Sequence, residues 1–154
     1  MKLSDFVCIE AVVPELVATE RDQAIKELVG ALEKAGKLGT VSGDAIARAV
    51  IKRENEASTG IGKGVAVPHV KHKSIGGVVA AVGCSAEGMD FSSLDKQLVY
   101  SVILLLSPSD NPDKHLQAME SIFKNLQKDD FRRFLRQAQT VEQIEEVLHD
   151  AEDV

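Results

Sequence analysis

The sequence predicts an α/β fold in three layers: a mixed β-sheet of about four to five strands flanked by α-helices on both faces. Three observations carry this. Val78–Cys84 and Leu98–Leu106 are apolar at consecutive rather than alternate positions, the pattern of central strands covered on each side. The chain before and after them repeats its apolar residues at helical spacing. The order is therefore helices, then strands, then helices.

Taken in order, Phe6–Val13 reads as an additional strand. Thr19, with Asp22 three residues on, opens a helix. Its inner face is Ala24, Ile25, Leu28, Val29 and Leu32, and Gly36 stops it. Ser42 caps a second helix, with Ile46, Ala49, Val50 and Arg53 at helical spacing. Gly60, Gly62 and Gly64 follow it and mark a turn or a close backbone approach. Val65–Val67 is a short extended run that stops at Pro68. After the two apolar strands, Ser107-Pro108 closes the sheet. Asp110 or Asn111 caps the next helix, with Pro112 in its first turn. Leu116, Met119, Ile122, Phe123 and Leu126 form its stripe. Asp129 starts another helix, through Phe131, Phe134 and Leu135. Thr140 and Gln143 make a capping box for the last one, which carries Val141, Ile144, Val147 and Leu148.

There is no internal repeat and no linker-like tract, so a single domain over 1–154 is expected. A chain of this size buries about two-thirds of its unfolded surface, enough for a core without staples. Aromatics are only 4% and Trp is absent, so that core rests on Val, Leu, Ile and Ala. With 18 Lys plus Arg against 24 Asp plus Glu, the net charge is −6, which argues against nucleic acid as a partner. Cys8 and Cys84 make neither a disulfide framework nor a zinc knuckle, and a cytoplasmic location is expected. No signal-peptide run, lipidation motif or stretch long enough to span a membrane is present, so direct membrane insertion is not expected.

Four histidines are candidates for chemistry: His69, His72, His115 and His149. His69 follows Pro68, which holds it on stiff backbone at the carboxyl end of a strand, the sheet edge where α/β sites form. His115 lies in the first turn of the Pro112 helix, where backbone N–H groups favour an anion. His72 sits in a solvated basic patch with Lys71 and Lys73, and His149 suits a helix end. Gly60–Gly64 fails as a phosphate loop, because Gly64 rather than Ser or Thr follows Lys63 and the glycines come after a helix. A metal site at His69 and His72 lacks both a helix and a nearby carboxylate. Cys84 lies in a buried run, where a thiol is inert.

The segment from Arg53-Glu54-Asn55 through Ser58-Thr59-Gly60 to Ala66-Val67-Pro68-His69 resembles the signature of the enzyme IIA domains of the fructose–mannitol class. These belong to the bacterial phosphoenolpyruvate-dependent phosphotransferase system. Gly62–His69 matches G-x-x-x-A-x-P-H, and His115-Leu116 matches the His-Leu pair of the family's C-terminal helix. The intervals Arg53–His69 and His69–His115, sixteen and forty-six residues, also fit. One departure is Val70, where small residues are common; it removes no reactive group.

The resemblance implies that His69 is the phosphorylated nucleophile, His115 its hydrogen-bond partner and Arg53 the stabiliser of the phosphoryl group. It implies that Thr59, Gly60 and Pro68 shape the pocket or contact the partner. No cofactor and no metal are implied. The expected donor is the histidine-phosphorylated phosphocarrier protein, and the recipient is a IIB component or a regulatory target protein. A nitrogen-regulatory-type signalling module, binding targets according to its phosphorylation state, is the alternative. A domain that has lost transfer is disfavoured, since all three residues are present. No IIB cysteine motif or linker appears before Val154, which tilts the expectation toward regulation. The residue types suit the chemistry: neutral imidazole is a nucleophile near pH 7, and a guanidinium fork holds a dianion.

Overall fold

A computed structural model of the chain describes residues 1–151; the sequence readings that involve residues 152–154 lie outside them. Six helices and five strands are found there. The helices are α1 (Leu3–Phe6), α2 (Arg21–Lys34), α3 (Gly43–Glu56), α4 (Pro112–Leu126), α5 (Asp129–Gln137) and α6 (Val141–Asp150). The strands are β1 (Gly60–Gly62), β2 (Val65–Ala66), β3 (His69–His72), β4 (Val79–Met89) and β5 (Val99–Pro108).

The sheet is mixed and centres on β5. β4 runs antiparallel along one side of it, from Val79↔Leu106 to Met89↔Val99. β2 and β3 run parallel along the other, end to end and in one continuous register, Val65↔Ser101 and then His69↔Leu105. Between them lies Pro68, which has no N–H for the ladder, although its carbonyl still accepts from Leu105 N–H at 2.9 Å. β1 folds back antiparallel on β2 through a turn with positive φ at Lys63 (61°) and Gly64 (80°), the primed geometry that matches strand twist. The expected turn at the glycines is thus a hairpin whose first arm is itself a strand.

Side chains alternate across β4 and β5, as strand geometry requires. Val79, Ala81, Val102, Leu104 and Leu106 pack in one core with α2 and α3. Ala80, Val82, Ile103 and Leu105 pack in a second core with α1, α4, α5 and α6. The helices thus cover both faces, in the expected three layers. The accessible surface is 7955 Å², near the roughly 7,600 Å² that scaling gives for one folded unit of this mass.

Several local expectations change. Phe6–Val13 is not a continuous strand: it makes single parallel bridges at Val7↔Ala80 and Val13↔Gly83. More chain lies between Val7 and Val13 than between their partners, and the surplus coils into a 3₁₀ turn at Ile9–Ala11. The cap of α2 is Glu20, not Thr19, because the Glu27 carboxylate takes the Val17 and Ala18 N–H groups and fixes the incoming backbone. Ser42 caps α3 as expected, accepting from Ala45 N–H at 3.1 Å. Asn111 rather than Asp110 caps α4. At α6 the capping box is only half made. Thr140 accepts from Gln143 N–H, but the Gln143 amide oxygen accepts from Gln139 N–H instead of Thr140. On α5, Phe134 is largely exposed while Phe131 and Leu135, one turn apart, fill the core.

The α4 stripe is rotated from the one its apolar residues suggest. Leu116 is 58% exposed. The buried positions are Ala118, Ile122, Asn125 and Leu126, and counting back by helical spacing places His115 on that same inner face. A small and a polar residue carry half of this face, so an apolar count misplaces it.

Candidate functional site

His69 is the first residue of β3, not the last of the preceding run, because the strand resumes in register after Pro68. His69 pairs Leu105, and two residues further along β5 stands Ser107. From the following helix, His115 turns inward to that strand end. The two imidazoles face each other with centroids 5.6 Å apart and planes at 45°. Residues distant in sequence thus meet in one half-buried site.

Each ring is tied through Nδ1. His69 Nδ1 lies 2.8 Å from the Val67 carbonyl oxygen. A carbonyl only accepts, so Nδ1 carries the proton and Nε2 keeps its lone pair. His115 Nδ1 lies 2.7 Å from the hydroxyl of Ser107. Among the described residues, neither Nε2 has a hydrogen-bond partner.

Arg53 projects from the last turn of α3, half-buried, and donates through Nη1 to the Ala57 carbonyl at 3.1 Å. Glu54 beside it is 2% exposed. Its carboxylate accepts both the backbone N–H and the hydroxyl of Thr59, each at 2.7 Å, so two buried donors and one buried charge satisfy one another. Thr59 O then accepts from Val67 N–H, and Val67 O holds His69. A continuous set of bonds thus runs from α3 to the His69 ring. Gly60 and Pro68 are buried in the same backbone. A Cβ at Gly60 would collide with Ser93 Oγ, so the β1 backbone passes too close for a side chain.

Burial pushes the His69 pKa below its ordinary 6.5; the Val67 hydrogen bond and the Glu54 charge oppose this, and the charges of Arg53 and Lys71 add to it. His115 is lowered too, first by burial and then by His69 and Lys71. Both rings are therefore neutral at pH 7, and the cations nearby are placed to favour an anion. Phosphoryl acceptance, the role that the resemblance implies for His69, needs the unprotonated ring. Its rate is expected to fall in acid with a midpoint below 6.5. A pH–rate profile of loading checks this, and a midpoint above 6.5 would count against it.

Among the described residues, no group of three or more His, Cys, Asp and Glu could hold a metal ion, and no helix is long and apolar enough to cross a membrane. His72 is set apart from the pair, its Nδ1 accepting from Ser74 N–H. His149 is in the last turn of α6. Cys84 is buried, with its thiol pushed up to about 11. Three residues of the site were missed in the sequence: Glu54, Ser107 and Lys71. Glu54 lies within the signature string but was given no role, and Ser107 gives no local signal, since its burial is a tertiary property. Lys71, two residues from His69 on β3, could have been placed on its side of the strand by alternation.

The model of the family described as phosphoenolpyruvate-dependent sugar phosphotransferase system, EIIA 2, matches residues 6–151. A fructose-specific EIIA component of Haloferax volcanii is 32% identical over 150 residues, 94% of this chain and 96% of that one. A nitrogen regulatory protein of Bradyrhizobium diazoefficiens is 32% identical over 148 residues, 96% and 95% of the two chains. A fructose-specific EIIABC component of Bacillus subtilis is 31% identical over 149 residues, but the chain spans only 23% of its length. The nitrogen regulatory protein IIA-Ntr of Neisseria meningitidis has the same fold, with a TM-score of 0.86 at 21% identity over 95% of this chain and 98% of that one. So has the IIA component in a complex of mannitol enzymes IIA and phosphorylated IIB from Escherichia coli, with a TM-score of 0.77 at 20% identity over 92% and 95%. By sequence over nearly its whole length and by fold, the chain belongs to the EIIA 2 family of the phosphoenolpyruvate-dependent sugar phosphotransferase system.

Proposed function

We propose that this protein is a phosphoryl carrier in which His69 Nε2 takes the group from the phosphohistidine of a phosphocarrier protein. The observation that carries the reading is the facing pair of imidazoles, each held through Nδ1 and each with Nε2 uncommitted. In the transfer, the lone pair of Nε2 forms the new P–N bond. The donor's P–N bond breaks and its electron pair stays on the donor nitrogen. The phosphorylated ring keeps its Nδ1–H, whose developing charge the Val67 carbonyl stabilises. Arg53 and Lys71 offset the dianionic phosphoryl group, and His115 donates to it from Nε2. Thr59, Gly60 and Pro68 hold the backbone on which the nucleophile sits. No nucleotide or metal enters this step.

In onward transfer, a IIB cysteine thiolate forms a P–S bond as the P–N bond breaks. In the regulatory reading, the phosphoryl group is retained and adds close to two negative charges to a face that a target protein reads. Relatives of this length carry either name, fructose EIIA component or nitrogen regulatory protein. The test is incubation with phosphoenolpyruvate, enzyme I and the phosphocarrier. One acid-labile, base-stable phosphate is expected on Nε2 of His69, located by ³¹P and ¹⁵N spectroscopy. Phosphate on Nδ1, or on another residue, would refute the assignment. Addition of a IIB domain then separates the two outputs: the phosphate is either discharged or held.

A further inference from the structure

Ser107 is fully buried near the end of β5. It faces the same side as Ile103 and Leu105, the side on which α4 packs. Among the described residues its hydroxyl has one partner, His115 Nδ1 at 2.7 Å. That bond can be arranged in two ways. If His115 carried its proton on Nδ1 and donated it, the serine proton would be left buried with no acceptor, a costly arrangement. If the serine donates, Nδ1 accepts, the His115 proton sits on Nε2, and the serine hydroxyl proton has its acceptor.

We infer that Ser107 is a positioning residue that fixes His115 as the Nε2–H tautomer, opposite in sense to His69. The inference rests on the reading of His69 as phosphoryl acceptor. The Val67 carbonyl can only accept, so it leaves a lone pair on His69 Nε2. The serine hydroxyl donates, so it leaves a proton on His115 Nε2. Two chemically identical side chains are thereby made unlike, one a nucleophile and the other a hydrogen-bond donor to the incoming phosphoryl oxygen. Without this assignment, the lone pair of His115 Nε2 would face the anionic phosphoryl oxygen where a donor is needed.

The tautomer is read in the unphosphorylated protein from the ¹⁵N shifts of the His115 ring, with no phosphoryl donor present. Its result is therefore separate from whether His69 accepts phosphate. The wild-type protein is expected to show His115 protonated on Nε2, with Nδ1 as acceptor. Ser107→Ala should mix the two tautomers and slow phosphoryl transfer to His69 about tenfold, as loss of a group orienting a histidine does. Ser107→Cys, a weaker donor of similar shape, should fall between. His115 protonated on Nδ1 in the wild type would overturn the inference. So would Ser107→Ala with unchanged tautomer, whether or not its rate falls, since a rate loss alone would reflect packing.

Discussion

His69→Ala is expected to abolish phosphorylation completely. Among the described residues, the ring is the only nucleophile of the site that presents a free lone pair. His115 is close, at 5.6 Å between ring centres, but its Nδ1 is tied to Ser107, and in the tautomer inferred above its Nε2 carries a proton rather than a lone pair. Cys84 cannot substitute, because its thiol is buried and held protonated, with a pKa of about 11. The His69 side chain is only half-buried, so its removal should leave the fold intact, and circular dichroism should confirm that. Incorporated phosphate is measured by mass after loading from the phosphocarrier. A singly phosphorylated His69→Ala protein would refute the assignment of the nucleophile.

His115→Ala is expected to accept the same single phosphate, but about 10²–10³-fold more slowly, as for loss of one donor to a developing oxyanion. That corresponds to about 3–4 kcal/mol of transition-state stabilisation. The donor positions the phosphoryl oxygens as the group passes between the two nitrogens, so the loss should fall in the rate constant more than in affinity for the phosphocarrier. Stopped-flow or quenched-flow transfer at several carrier concentrations separates the two. A wild-type rate constant in this variant would remove His115 from the chemistry. The variant also leaves the Ser107 hydroxyl buried beside a void, so a small loss of thermal stability should accompany it.

The layers, the two central strands and most helix starts could be read directly from the chain, because each depends on local rules. An apolar run on both faces has to be covered twice, and Val99–Pro108 is indeed the middle strand of the sheet. Ser42 satisfies a helix end within three residues of itself. Where a distant group intervened, the reading slipped. Glu27 moved the start of α2 by one residue. The bridges to β4 broke the expected N-terminal strand into contacts around a turn.

The same division holds at the site. The residues Arg53, His69 and His115 were named from a string of sequence, and their reactivity follows from side-chain type. Their meeting was not implied by composition or spacing. β5 brings it about, lying against β3 at Leu105 and leading through Ser107 into the start of α4. The sequence also could not show which nitrogen of each imidazole is free. That is decided by the Val67 carbonyl and the Ser107 hydroxyl, two groups of opposite hydrogen-bonding sense that only the packed sheet places against the rings. What the sequence determined alone was the chemistry available, since that is a property of residue types. What the tertiary structure decided was its direction, since protonation and tautomer answer to neighbours that lie far away along the chain.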